Sequence, residues 1–387
     1  MMLWQGPLPP KYTEMPDDQL VDAINKRKAE LGDNLVILGH HYQQNDVIQF
    51  ADFTGDSFKL SQLAAEAVTQ RGSKYVIFEG VHFMAESADI LTPDDVAVIL
   101  PDLSAGCSMA DMANYEQTIE AWELIHAALK GQNVRVVPIC YMNCTAAIKA
   151  FCGEHGGAVC TSSNAEKMLK WALAGGDTPL TEGETVKILF LPDQHLGRNT
   201  GADLGFDVDQ DMTVYDPNNP DECSEEDIQR ATFLLWKGHC SVHKLFRPEH
   251  VDQVKADWPD VTVMVHPECD HSVVKAADLA GSTEAIIQAV MNAEPGSKWA
   301  IGTEVHLVNR LRDQAKERGI TVRMLSECQC LCTTMYRIDM PHLLYAMDKL
   351  AEGEVVNQII VPEAVQHWSK ISMERMLRVT SAAPVTS

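Results

Sequence analysis

Leu35-Val36-Ile37-Leu38-Gly39-His40-His41-Tyr42 decides how this chain folds. An unbroken apolar run leads into a glycine and three polar rings. Such a run, bounded by a turn signal, reads as a buried strand. In parallel α/β units the carboxyl end of that strand faces the binding crevice. Similar runs recur at 75–78, 96–100, 134–139, 158–160, 186–191, 261–265, 299–301 and 321–325, with helical stretches between them. Strands alternating with helices predict an α/β fold with parallel sheets.

The pattern is written three times. In the first unit a strand ends at His40-His41-Tyr42, Gly55-Asp56-Ser57 opens a helix, and Cys107 follows the last strand. In the second the strand ends at Tyr141-Met142-Asn143, Thr161-Ser162-Ser163 precedes a helix, and Cys240 comes later. In the third the strand ends at His266-Pro267-Glu268, Gly281-Ser282-Thr283 precedes a helix, and Cys332 closes the unit. The spacing agrees: 17 residues from His40 to Ser57, 21 from Tyr141 to Ser162, and 16 from His266 to Ser282. The expected fold is therefore three similar parallel-sheet α/β domains in pseudo-threefold arrangement around a central active site. The expected boundaries are an arm and helix at 1–33 and domains at 34–130, 131–250 and 251–340. A C-terminal helical segment and tail follow at 341–387. Residues 1–16 read as a proline-rich arm, and Asp17–Leu31 as an amphipathic helix capped by Asp17 or Asp18.

Composition narrows the function. The 387 residues are 45% hydrophobic, enough for a substantial core. A net charge of −24 without a basic cluster argues against a nucleic-acid partner. Ten acidic residues and no Lys or Arg lie within 203–227, which reads as a solvated loop or insertion. No run of about 18 apolar residues marks a membrane span, and residues 1–16 do not read as a signal peptide. Eleven cysteines in such a chain point to free, metal-bound or redox-active thiols and to the cytoplasm.

The chemistry gathers at Ser326-Glu327-Cys328-Gln329-Cys330-Leu331-Cys332-Thr333-Thr334-Met335, where three cysteines alternate. Small buried side chains are one reading, and a thiolate cluster or redox couple in a turn is the other. One cysteine from each of three units suits a [4Fe–4S] cluster better than structural zinc, which prefers four protein ligands. Cys140, Cys144, Cys152 and Cys160 lack close CxxC spacing and read as packing residues. Hydroxyls at helix starts serve as caps, and a helix N-terminus also attracts anions. His40 and His266 suit anionic substrates, and Glu268 suits acid/base work. Tyr42 and Tyr141 suit hydrogen bonding or stacking.

At these residues the chain resembles the quinolinate synthase family of iron–sulfur enzymes of NAD biosynthesis. The matching stretches are GHHYQQNDVIQFADFTGDS (39–57), GVHFMAESADIL (80–91), AGCSMADM (105–112), YMNCTAAIKA (141–150) and CTSSNAE (160–166). They continue with LPDQHLGR (191–198), WKGHCSVH (236–243), VHPE (265–268), AGSTEAII (280–287) and GTE (302–304), and end at Cys332 with Met335. The resemblance spans roughly residues 20–370. It implies one [4Fe–4S] cluster on Cys107, Cys240 and Cys332, and condensation of iminoaspartate with dihydroxyacetone phosphate to quinolinate. It places substrate binding at His40, Ser57, Tyr141, Asn143, Ser162, His266, Glu268 and Thr283, and proton transfer at Tyr42 and Glu268. It also raises functional coupling to the enzyme that makes iminoaspartate.

Some relatives space the last cysteines as CxxCxxC followed by proline, whereas here Thr333 follows Cys332. Cys332 is assigned through Met335 and its place after the last strand, with Cys330 as competitor. A Cys328–Cys330 redox switch would need a strained disulfide across one residue. The alternatives are a non-enzymatic iron–sulfur sensor or electron carrier, and a zinc-dependent lyase.

Overall fold

The computed structural model describes residues 5–327 and 330–381. The Cys328–Cys330 pairing lies outside them, because Cys328 is not among the described residues. Three sheets carry the fold. The first holds β1 (Leu35–His40), β2 (Phe53–Gly55), β3 (Tyr75–Glu79) and β4 (Ala97–Ile99). The second holds β5 (Val134–Tyr141), β6 (Ala158–Cys160), β7 (Thr185–Leu191), β8 (Met212–Tyr215) and β9 (Phe233–Trp236). The third holds β10 (Val261–Val265), β11 (Leu279–Ala280), β12 (Lys298–Gly302) and β13 (Thr321–Met324). A final short strand, β14 (Gln358–Ile359), joins the edge of the first sheet antiparallel to β4.

The strand orders reveal the repeat. They run β2-β1-β3-β4, β6-β5-β7-β9 and β11-β10-β12-β13, and every pairing within these runs is parallel. In each sheet the unit's first strand lies between its second and third, so its carboxyl end is central. Buried on both faces, β1 is apolar almost throughout. A Cβ on Gly39 would come within 2.8 Å of Ala51 and Ile48, so only glycine fits just before His40.

The chain forms two compact units. One comprises Met1–Cys107, Glu304–Arg310 and Leu331–Pro362; the other comprises Ser108–Thr303, Leu311–Cys330 and Glu363–Ser387. In the first unit, Leu20 and Ile24 from helix Asp17–Leu31 share a core with Ile37, Ile77 and Ile99, and with Leu343 and Met347 from helix Met340–Ala351. Each such side chain contributes about 1.5–3 kcal/mol on burial. In the second unit, helix Glu363–Ser381 lies against helix Ala146–Glu154, where Ser369 Oγ donates to the Ala146 carbonyl at 2.8 Å. A Cβ at Gly153 would overlap the Trp368 carbonyl oxygen, so this glycine sets how closely the helices approach.

Three expectations need correction. The acidic segment is folded: it contains β8, which adds an outer strand to the second sheet, and helix Glu225–Arg230 with a Ser224/Asp227 capping box. An edge strand needs only partial burial, so acidic flanks did not prevent it. The arm is also packed in part. Tyr12 is buried, and its hydroxyl donates to Asp348 Oδ2 at 2.9 Å. Asp17 and Asp18 do not cap their helix; they occupy its first turn behind Pro16 and complement the helix dipole there.

Candidate functional site

The strand ends of the first and third sheets are built alike. After β1, the Tyr42 backbone N–H donates to His40 Nδ1 at 3.1 Å. After β10, the Glu268 N–H donates to His266 Nδ1 at 3.3 Å. A backbone N–H can only donate, so each Nδ1 is an acceptor, and the proton of the neutral ring sits on Nε2. Both histidines are buried, at 4% and 2% exposure, and each can present an Nε2–H donor. The His40 and Tyr42 rings meet edge to face with centroids 4.9 Å apart.

In the first unit, the loop after β1 is clamped from two sides. Arg310 donates to the Gln43 carbonyl at 2.7 Å and also to the His41 carbonyl. Gln43 and Gln44 side chains donate to the carbonyls of Met335 and Ile338. These contacts tie the His40–Tyr42 turn to the segment that follows Cys332. Arg337 in turn donates to Ser104 Oγ at 3.3 Å, joining the same segment to the loop that precedes Cys107. Glu304 lies in this unit with Oε2 accepting the His306 and Leu307 N–H groups, and burial pushes its carboxyl up to about 8.

In the second unit a polar group surrounds Glu268, which is 2% exposed. His243 Nδ1 is 2.8 Å from Glu268 Oε2, and His243 Nε2 is 3.0 Å from Thr303 Oγ1. Tyr141 also hydrogen-bonds Glu268. The His243 and His266 rings stack at 4.4 Å and 15°. Burial alone would raise the Glu268 carboxyl, but the imidazoles and the hydrogen bonds from His243 and Tyr141 outweigh it and hold it at about 2. Burial pushes His266 down to about 3, so this ring is neutral at pH 7 and the favourable contribution rests chiefly on His243 and the hydrogen bonds. Asp193, after β7, is fully buried, and its Oδ2 has no hydrogen-bond partner among the described residues. Burial and the Glu268 charge push its carboxyl well up.

The remaining expected binders occupy their strand and helix ends. Ser57 and Thr283 begin helices Ser57–Arg71 and Thr283–Met291, but the caps are Asp56 and Ser282, so neither hydroxyl is spent as the cap. Ser162 departs from the repeat: it lies in a half-buried turn, and its helix begins at Ala165 behind Asn164. Asn143 is half-buried beyond β5.

The cysteines divide sharply. Among the described residues, Cys107, Cys240 and Cys332 are half-buried, and the other seven are buried. Cys330, the competitor of Cys332, is fully buried. Cys140, Cys152 and Cys160 are buried so deeply that their thiols are pushed up, as packing residues should be. Cys240, His243 and Glu268 offer ligand atoms within 4.8 Å of one another, a candidate metal site among the described residues. Beside it a cavity of about 360 Å³ is lined by His195, His239, Lys244, Arg247 and Asp270 among others. Burial and the nearby Arg198 hold His195 down at about 4.

Reading the sequence alone passed over His243, Asp193 and Glu304, whose buried polar groups the structure places at or near the strand ends. All three stood inside polar motifs at strand ends, WKGHCSVH, LPDQHLGR and GTE, and that placement was the available signal. No described helix is long and apolar enough to cross a membrane.

The family model for quinolinate synthetase A protein matches residues 22–378. The chain is 51% identical over 369 residues to a quinolinate synthase of Acidobacterium capsulatum, covering 95% of each chain. It is 50% identical to one from Streptomyces coelicolor over 93% of this chain and 88% of the relative. With one from Anoxybacillus flavithermus it shares 49% identity over 97% and 98% of the two chains. The match covers every strand and strand-end residue described above, and the chain belongs to the quinolinate synthetase A family.

Proposed function

We propose that this chain is a quinolinate synthase that condenses iminoaspartate with dihydroxyacetone phosphate, releasing phosphate and water, in the de novo synthesis of NAD. The observation that carries the reading is the buried Glu268, placed at a strand end among His243, His266 and Tyr141. Forming a pyridine dicarboxylate from these precursors needs anion anchors, proton transfer and a Lewis acid, and the residues supply the first two.

His40 and His266 would donate Nε2–H groups to carboxylate or phosphate oxygens. Ser57 and Thr283 would add hydroxyls at helix starts, where the dipole favours anions. Tyr141, Asn143 and Ser162 complete the proposed binding set. Glu268 rests ionised, so it would enter as a proton acceptor, and Tyr42 would be the donor.

Cys107, Cys240 and Cys332 would hold a [4Fe–4S] cluster, and their partial exposure fits ligands better than the burial of the other described cysteines does. When bound, a cluster with three thiolate ligands supplies a Lewis acid that assists loss of hydroxide. A second reading has zinc at Cys240, His243 and Glu268, which the proximity of those three ligand atoms favours. The small-molecule substrates leave room for coupling to the enzyme that makes iminoaspartate.

Anaerobic purification with iron, sulfide and zinc quantified separates the two readings. About four iron and four sulfide per chain, with quinolinate formed from the two substrates, is expected. Zinc without sulfide would favour the second reading. Glu268→Gln should keep the cluster and lower turnover by about 10³-fold or more.

A further inference from the structure

We propose that Asp193 and Glu304 are positioning residues for the iron–sulfur site: each is a buried carboxyl group that ties the backbone of one cluster cysteine, Cys240 or Cys332, to the start of a helix. This role rests on the reading of those cysteines as ligands.

The two acids occupy equivalent places in the repeat. Asp193 stands two residues beyond β7, and Glu304 two residues beyond β12. Each of these strands is the third of its unit and lies beside the central first strand. Each acid also opens the same short pattern, in which one variable residue and then His-Leu follow: Asp193-Gln194-His195-Leu196 and Glu304-Val305-His306-Leu307. A helix starts at once in both cases, Gln194–Asp203 and Val305–Lys316. Asp193 Oδ1 accepts the Leu196 N–H at 2.7 Å, and Glu304 Oε2 accepts the His306 and Leu307 N–H groups at 2.8 and 3.2 Å.

That much is helix capping. A cap does not require the further bond that each acid makes to a distant loop. Asp193 also accepts the backbone N–H of Cys240, and Glu304 that of Cys332. At Asp193 the main chain reinforces the link. The residue bridges to Gly238 in parallel, and the Gln194 N–H donates to the Gly238 carbonyl at 3.0 Å. A Cβ on Gly238 would overlap the Pro192 carbonyl oxygen, so the approach to Cys240 runs hard against the acid's own segment. Both acids are fully buried, and Asp193 Oδ2 and Glu304 Oε1 have no hydrogen-bond partner among the described residues. A bare buried oxygen is costly, and a serine cap would avoid it. The acid side chains gather helix and cysteine N–H groups at one place, and a cysteine whose N–H is held has its Cβ direction held too. Such support from outside the ligand shell orients metal ligands.

The first sheet departs from the pattern. Glu79 ends β3 at the corresponding place, but neither of its oxygens has a partner among the described residues. There the link is backbone alone: the His82 N–H donates to the Ala105 carbonyl at 2.9 Å, two residues before Cys107.

The test uses the full chain purified anaerobically, with iron, sulfide and zinc quantified, the rate of iron release to a chelator followed, and Tm recorded after the metal is removed. Asp193→Ala and Glu304→Ala should each release iron about tenfold faster than wild type, the low end of what a lost outer partner costs a metal site. Loss of the cap should lower the metal-free Tm by roughly 3 °C. Asp193→Ser separates cap from tie: the hydroxyl caps the helix and restores Tm, but it is too short to serve Cys240, so iron release stays fast. Asp193→Asn and Glu304→Gln keep an acceptor oxygen at full reach and should return release to within about twofold of wild type. Ser224→Ala removes a cap that touches no cysteine and should leave release unchanged.

Wild-type release in Asp193→Ala or Glu304→Ala overturns the role of that residue. Slow release in Asp193→Ser overturns it for Asp193 by reducing the acid to a helix cap, and fast release in Asp193→Asn or Glu304→Gln overturns the acceptor role. If an alanine variant does not fold, the serine, asparagine and glutamine variants decide by the same readings. Zinc without sulfide in the wild-type chain sinks the cluster reading itself, whereas wild-type iron and sulfide beside slow release in both alanine variants sinks only the tie.

Discussion

The turn after β1 and the turn after β10 share one design and differ in one residue. Each begins with a buried histidine whose Nδ1 accepts the N–H two residues on. In the first sheet that second residue is Tyr42, and in the third it is Glu268. The equivalent turn after β5 offers Tyr141 and Asn143. A repeated backbone has thus been kept as a holder while its third side chain was changed from phenol to carboxylate to amide. The difference teaches that the repeat supplies position and the exchanged side chain supplies chemistry. The surroundings follow the same division. Glu268 is enclosed by His243, His266 and Tyr141, whereas Tyr42 stays half-buried in a turn clamped through its neighbours' carbonyls.

The comparison can be broken most sharply at Tyr42. Tyr42→Phe keeps the ring and the N–H to His40 and removes only the hydroxyl, so kcat should fall about 10²-fold with iron content unchanged. An unaltered kcat would leave Glu268 as the only proton-transfer group of the pair.

The histidines come next. In His40→Asn and His266→Asn the amide oxygen can still accept the N–H two residues on, as in an Asx turn, while the distant Nε2–H donor is lost. Each should raise KM about tenfold, the loss of one charge-assisted hydrogen bond. A rise in only one variant would show that the shared backbone conceals different roles.

The smallest effect concerns the second sheet. Burial holds His195 down at about 4, against about 6.5 in an unfolded chain. The unfolded state therefore takes up the proton first as pH falls. Its contribution to stability is complete above pH 6.5 and is lost progressively toward pH 4, by at most about 3 kcal/mol. His195→Gln should flatten the fall of Tm across that window by roughly a few degrees. An unchanged slope would show that His195 is not the group responsible.

The sequence revealed the repeat because β1, β5 and β10 are continuous apolar runs ended by polar rings, and burial on both faces demands such runs. Several strands escaped it, among them the internal, fully buried β9. Phe53–Gly55 and Leu279–Ala280 are short and largely unburied, so no hydrophobic pattern marks them. Met212–Tyr215 was hidden by acidic neighbours whose composition reads as solvated. Tyr12 went unnoticed because its partner, Asp348, lies 336 residues away. The same limit applies to His243. Its contacts lie 25 residues away at Glu268 and 60 away at Thr303, and no local spacing joins them. By contrast, the strand-end residues Tyr42, Tyr141, His266 and Glu268 were legible, because one rule about strand ends applied to all of them. Ser162 shows where copying that rule overreaches: the turn formed by Ser162, Ser163 and Asn164 displaces the helix start to Ala165.

The path of the chain also bears on how the protein is made. The first unit's core uses residues near the start together with Met340–Ala351, and the second unit is completed by Glu363–Ser381 after the chain has left it. A ribosome therefore delivers most of both units before either can close. During that interval the apolar faces of β1 and of helix Ala146–Glu154 await partners that have not been synthesised, and both units finish maturing within the last stretch of translation.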